Sequence, residues 1–434
     1  MQFYSLNNHS EKADFEVATI RGQAPDKGLY FPQEIPTLPK AWIEGIAGFS
    51  REEIALKVIS PYVGDSIPTR ELSGIVEQTV SFDFPLVPVS EGISSLELFH
   101  GPTLAFKDVG ARFMSRCLGY FVRHLNRKIT VLVATSGDTG GAVANGFYGV
   151  DGVDVVILYP SGKVSSVQEW QLTSLGKNIS ALEVKGTFDD CQRLVKQAFT
   201  DSDLNRALFL TSANSINVAR WLPQQFYYFF AYQQWADKGH PPVISVPSGN
   251  FGNICAGLLA RRSGLPVAHF IAACNANDVV PAYLCSGHYQ AKDAVATLSN
   301  AMDVGNPSNF VRILELFDQA FHPLKEVLSS CSISDEQTRQ TIARVYDRHH
   351  YLLDPHGAVG YLALSQYLQE HPGQQGLFLE TAHPVKFYDV VEPITGQQIP
   401  MPASVSSMLN QPKQSLPMEV SYQTLKQYLL SRPA

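Results

Sequence analysis

ITVLVATSGDTGGAVANGFY, residues 129–148, is the stretch on which the fold turns. Its first six residues, Ile129 to Ala134, are apolar or β-branched without interruption, the pattern of a strand buried on both faces. Residues 135–141 follow as a hydroxyl- and glycine-rich turn, and residues 142–148 open a helix. A strand, a glycine turn and a helix in that order form a βα unit, and repetition of such units predicts a parallel sheet.

The unit does recur. Residues 153–159, 179–184 and 207–210 read as further short apolar strands, with helices expected over 188–199 and 216–235. A polar break, KGHPP at 238–242, precedes a second series with strand 243–246, loop 247–253 and helix 254–262. Later strands are expected at 266–273 and 376–379, with helices over 309–328 and 335–349. The first ninety-odd residues are Pro-rich and less regular, and the last forty look peripheral. The expectation is an α/β protein with two open, twisted, mostly parallel domains and an N-terminal extension. Its boundaries are placed as an N-terminal region 1–95, a smaller mobile domain 96–238 and a larger domain 239–434.

Composition narrows the function. The 434 residues carry 33 basic and 40 acidic side chains, a formal charge of −7, with no long basic run. Nucleic acid and anionic membrane surfaces are therefore not expected partners, and an anionic ligand must be met by a local positive site. Cys117, Cys191, Cys255, Cys274, Cys285 and Cys331 show neither a CxxC pair nor a metal-site spacing, so free thiols and no metal are expected. Residues 1–16 lack the apolar core of a leader peptide, which points to the cytoplasm. No apolar run reaches the roughly 18 residues that a membrane-spanning helix requires.

Three segments carry chemistry. HGPTLAFKD at 100–108 places Lys107 where a loop meets an expected helix, behind Leu104, Ala105 and Phe106. Burial there lowers the lysine pKa, and the neutral amine is the form that attacks an aldehyde. VPSGNFGN at 246–253 joins a strand to a helix, where free N–H groups and the helix dipole suit a phosphate. Gly249 and Gly252 allow close approach, and Ser248, Asn250 and Asn253 offer side-chain donors. ATSGDTGG at 134–141 has the same placement and could hold a carboxylate; it lacks the spacings of a Walker loop or a dinucleotide fingerprint. Taken singly, each has an ordinary structural reading: a solvated helix-start lysine, a tight turn, a capped turn.

Together and in this order, the three segments resemble the fold-type II pyridoxal-phosphate enzymes. Further motifs narrow the resemblance to the threonine synthase subgroup with a long N-terminal region: GLYFP at 28–32, LYPSGK at 158–163, TSANSINVAR at 211–220, TLSNAMDVGNPSN at 297–309 and LETAHPVKF at 379–387. The resemblance implies pyridoxal 5′-phosphate in Schiff-base linkage to Lys107. It implies that Ser248, Gly249, Asn250, Phe251, Gly252 and Asn253 hold the cofactor phosphate and that Thr381 faces the pyridine nitrogen. Asp138 would lie by the 3′-oxygen, where related enzymes often carry Asn. Thr135, Ser136, Gly137, Thr139 and Gly140 would take the substrate carboxylate, and Lys163, Ser212, Asn214, Ser215 and Arg220 its phosphate. His100, His356 and His383 read as structural hydrogen-bonders.

The implied reaction turns O-phosphohomoserine and water into threonine and phosphate, in a monomer or homodimer. Two other readings stay open at this stage. One is a phospho-lyase or dehydratase of the same family that releases 2-oxobutyrate, and the other is a phosphometabolite-binding protein without catalysis.

Overall fold

Ile129–Ala134 is a strand with every side chain buried. It sits inside a five-stranded sheet in the order Ser415–Met418, Ile179–Val184, Val153–Pro160, Ile129–Ala134, Phe209–Thr211, all parallel. A second sheet of six strands runs Leu328–Ser332, His269–Cys274, Val243–Pro247, Gly376–Glu380, Ile93–Glu97, Leu86–Ser90, parallel except for its last pair. A small antiparallel sheet, Lys12–Ala13, Phe3–Ser5 and Tyr30–Pro32, belongs to the N-terminal region. This computed structural model describes residues 1–8, 12–123, 125, 127–403, 405–406 and 411–432. Among the described residues no helix is long and apolar enough to cross a membrane.

The pairings divide the chain differently from the boundaries at 95/96 and 238/239. Leu86–Ser90 and Ile93–Glu97 form a hairpin whose second strand lies beside Gly376–Glu380, so this part of the N-terminal region is built into the larger sheet. Ser415–Met418 crosses back to pair with Ile179–Val184 in the smaller sheet, and the helix Tyr422–Leu430 packs on Phe188–Thr200. Strand partners far apart in sequence leave no local signal, which is why the one segment was read as part of an N-terminal extension and the other as peripheral.

Two elements differ for local reasons. The expected helix over 216–235 is Val218–Trp221, a 3-10 turn Leu222–Gln224 and Gln225–Gln234, because Pro223 cannot supply an N–H to an unbroken helix. The expected helix over 309–328 is split into Phe310–Leu316 and Phe321–Val327 by Asp318 and Gln319, both left-handed (φ 52° and 60°), and Leu328–Ser332 then runs as an edge strand.

The arrangement of ends is what builds a site. Ile93–Glu97, Ile129–Ala134, Phe209–Thr211, Val243–Pro247 and Gly376–Glu380 each deliver, from the C-terminal end, one segment singled out in the sequence: 98–107, 135–141, 212–220, 248–253 and 381–387. Crevices beyond the carboxyl ends of parallel strands are where open α/β sheets bind ligands.

Candidate active site

Lys107 opens the helix Lys107–Val122. Its approach is fixed by contacts to the segment after Gly376–Glu380: Phe106 N donates to Thr381 O (2.9 Å) and His383 N to Leu104 O (3.0 Å), while Tyr227 Oη donates to Phe106 O. Leu104 is held left-handed (φ 57°), a conformation that costs a non-glycine residue about 1–2 kcal/mol. Asp108 turns back to accept from Thr103 N (2.9 Å) and Thr103 Oγ1 (2.6 Å); a Cβ on Gly101 would lie 2.4 Å from its Oδ2, so glycine is required there. The Lys107 side chain is 17% exposed, and burial lowers its pKa against the opposing pull of Asp138.

The phosphate-type loop behaves as a cradle. Phe251 takes a left-handed conformation (φ 60°) immediately before the helix Gly252–Arg262, whose first N–H groups have no partner within the helix. Ser248 Oγ donates to Val246 O (2.7 Å) and Asn253 Nδ2 to Pro247 O (2.7 Å), so these side chains brace the loop and leave the backbone to meet an anion, a correction to their expected role as free donors. A Cβ on Gly249 would stand 2.8 Å from Met302 Cα and 2.9 Å from Ala301 O. Gly249→Ala is therefore expected to weaken cofactor affinity about tenfold by forcing the loop off its neighbour; titration of the apoprotein followed by absorbance checks it, and an unchanged Kd would count against the cradle.

The second loop is organised in the same way. Thr135 Oγ1 accepts from Gly137 N and Gly140 N, both at 2.9 Å, and Gly137 sits at φ 135° where a Cβ would strike Gln168. Thr135, Gly137 and Gly140 thus shape the turn, while Ser136 and Thr139 remain partly exposed on the cavity beside the N-terminus of Asp138–Phe147.

One cavity of about 1610 Å³ joins these pieces, lined among others by Lys107, Ser136, Asp138, Thr139, Gly249, Asn250, Gly252, Asn253 and Thr381. Ser212, Asn214, Ser215 and Arg220 line it as well. Arg220 is 3% exposed; its Nη1 donates to Ala213 O, its Nε has no hydrogen-bond partner, and burial lowers its guanidinium to about 10, still charged at neutral pH. Asn214 Oδ1 is likewise buried and unpartnered. Unsatisfied buried polar atoms are costly, and both residues stand in the cavity wall, with the Arg220 Nε turned toward Gly110. Ser248 and Phe251 are buried beneath the loop, and Phe251 stacks edge-on to Phe310.

Lys163 is the exception among the expected phosphate ligands. It is exposed on the turn after Val153–Pro160 and is not among the residues lining the cavity. Lys163→Ala is expected to leave kcat/KM within about twofold, as for a solvated surface lysine. A tenfold rise in KM would restore it to the site.

The geometry is that of a fold-type II pyridoxal-phosphate enzyme, and comparison with known proteins agrees. A family model described as pyridoxal-phosphate dependent enzyme matches residues 95–379, with models for the threonine synthase N terminus at 2–80 and C-terminal part at 357–429. The threonine synthase of Serratia marcescens is 45% identical over 435 aligned residues that span 100% of both chains. This chain belongs to the threonine synthase family. The crystal structure of threonine synthase from Escherichia coli superposes with a TM-score of 0.93 at 43% identity, covering 99% of each chain. The structure of threonine synthase from Brucella melitensis with bound PLP superposes at 0.92 and 35% identity, again over 99% of each. The chain is accordingly a pyridoxal-phosphate-dependent enzyme of biosynthesis.

Measured against this family's site, sequence reasoning passed over two residues that the structure brings forward. Lys386, fully buried in the turn Pro384–Phe387, donates to Asp138 Oδ1 (2.7 Å) and Thr103 O (2.9 Å). Arg312, also fully buried, donates to Tyr30 O, Ser215 O, Ile216 O and Asn309 Oδ1, and lies 4.3 Å over the Trp221 ring. Asn309 in turn donates to Asn250 O and Ser215 Oγ, both 3.1 Å, so Arg312, directly and through Asn309, ties the N-terminal region to the 212–220 segment and to the 248–253 loop. Both residues stand in or beside motifs already conspicuous, 379–387 and 297–309, but nothing local says that their charges are buried.

His356, which lines the cavity, and His383 both make hydrogen bonds within the fold. His356 Nε2 accepts from Ala301 N (3.2 Å), which leaves its Nδ1 to donate to Asp354 Oδ2 (2.6 Å). His383 caps the turn by accepting from Val385 N, and burial lowers it to about 4.

Proposed function

We propose that the substrates are O-phosphohomoserine and water, that the products are threonine and phosphate, and that Lys107 is the residue that carries the cofactor. The observation that supports this most is one cavity in which Lys107 faces two helix N-termini and a buried arginine with no salt-bridge partner among the described residues. Those are three anion sites, and the reading has three anionic groups to seat: the cofactor phosphate, the substrate carboxylate and the substrate phosphate.

Pyridoxal phosphate fits the residues present, since the Gly249–Gly252 cradle tolerates no Cβ at 249 and offers N–H groups to a phosphate. When bound, it supplies an electron sink for negative charge developing on the substrate carbon next to the amine. The backbone from Gly249 to Asn253 would hold its phosphate. Thr381 would meet the ring nitrogen with a hydroxyl, which unlike a carboxylate does not enforce a proton there.

The chain's own groups do the remaining work. Ser136, Thr139 and the N-terminus of Asp138–Phe147 orient the substrate carboxylate. Arg220, Ser212, Asn214 and Ser215 hold the phosphate that leaves, the guanidinium balancing its charge. Lys107, with an amine whose burial favours the neutral form, removes a proton from the substrate α-carbon and returns one before release. Water has to be admitted after phosphate is lost, and the walls of the crevice keep it away from the earlier charge.

Incubation of the purified holoenzyme with O-phosphohomoserine and identification of the products tests the proposal. Threonine is expected; 2-oxobutyrate with phosphate would replace it with the lyase reading.

A further inference from the structure

Two lysines approach Asp138, and they do so unequally. Its Oδ1 accepts from Lys386 Nζ at 2.7 Å and from Gln168 Nε2 at 2.8 Å, while its Oδ2 stands 3.7 Å from Lys107 Nζ, too far for a good hydrogen bond. Lys386 and Asp138 are both essentially shut off from solvent, with side chains 0% and 3% exposed. The short, buried contact therefore belongs to Lys386, and Lys107 is left with the long one. The other groups that face Lys107 are Arg220, a cation, and the Phe106 ring, 4.8 Å from Nζ; Asp108, next in its helix, is engaged by Thr103.

We infer that Lys386 is a positioning residue which, by taking the carboxylate of Asp138 for itself, keeps Lys107 from being locked as an ammonium and leaves its amine free to react. This rests on Lys107 being the lysine that carries the cofactor. Lys386 comes from the turn after Gly376–Glu380 in the larger sheet, and Asp138 from the helix after Ile129–Ala134 in the smaller one, so the state of the amine depends on the two sheets being in contact.

Electrostatics runs in the same direction on both sides of the contact. Burial alone would raise the Asp138 carboxyl; the charges of Lys386 and Lys107 and the hydrogen bonds from Lys386 and Gln168 outweigh it and hold it well below the ordinary range. Lys107 is lowered first by burial; Asp138 opposes this, and the positive charges of Lys386 and Arg220 add to it. With the Lys386 charge removed, Asp138 keeps Lys107 as its nearest cation, and the lysine holds its proton to higher pH.

The test uses the apoprotein mixed with pyridoxal phosphate. The neutral Lys107 amine adds to the aldehyde, water leaves, and the yellow colour that appears reports the fraction of neutral amine at each pH. Lys386→Met is expected to move the pH midpoint of this rate upward by about one unit, a tenfold slower reaction at a fixed pH below it. Lys386→Gln, which keeps a donor for Thr103 O, is expected to move it the same way. Asp138→Asn removes the opposing charge and is expected to move it down, and Lys386→Arg to leave it near wild type.

Wild-type apoprotein that stays colourless would defeat the reading of Lys107 itself. Wild type that colours normally, with the midpoint unmoved in whichever of Lys386→Met and Lys386→Gln keeps the wild-type melting temperature, would overturn the inference while leaving that reading intact. Should neither fold, a midpoint in Asp138→Asn that fails to fall overturns it.

Discussion

Lys107→Ala is expected to lose threonine formation by at least about 10³-fold and to stay colourless with added pyridoxal phosphate. A positioned proton-transfer group alone contributes roughly 10²–10⁴-fold, and on the proposed reading the same amine also anchors the cofactor. The fold is not expected to suffer. Lys107 makes one long contact to Asp138 at 3.7 Å, and Asp138 keeps its shorter partners Lys386 and Gln168, so the stability change should stay within about 1 kcal/mol. Separating activity from stability in this way is what distinguishes a reactive lysine from a structural one. A variant that melts like wild type yet retains activity would remove Lys107 from the reaction.

Arg220→Met carries the second largest expected effect. Arg220 is a buried cation with no salt-bridge partner among the described residues and an unpartnered Nε, so the protein already bears the cost of desolvating it. A dianionic phosphate would repay that cost. Methionine keeps the bulk of the stem and loses the charge, and kcat/KM is expected to fall by about 10²–10³, or roughly 3–4 kcal/mol, mostly through KM. Inorganic phosphate should lose its competitive inhibition in the same variant. Unchanged KM would assign Arg220 to the fold, where it also bonds Ala213 O and packs against Gly110.

The sequence made much of this legible because βα units are local. A strand such as Ile129–Ala134, its glycine turn and the following helix all lie within twenty residues, so the pattern that forms the element also forms the ligand loop. The order of the loops around Lys107 followed from the same units. What was not legible depends on partners distant in the chain. Ser415–Met418 joins a sheet whose other strands end two hundred residues earlier, at Phe209–Thr211. Lys386 reads as one more lysine in an ordinary turn until Asp138, from the helix that follows Ile129–Ala134, is placed against it. Lys163 shows the opposite failure, a residue in a matching motif that the backbone turns toward solvent. Ser248 and Asn253 show a subtler case: residues in the expected loop whose side chains brace it through the carbonyls of Val246 and Pro247.

The proposed reaction joins a reactive lysine to the formation of threonine. The most direct test is to supply purified holoenzyme with O-phosphohomoserine in water labelled with oxygen-18 and to analyse the product by mass spectrometry. Threonine carrying one heavy oxygen, formed in step with phosphate, is the predicted result. 2-Oxobutyrate with no threonine would contradict it.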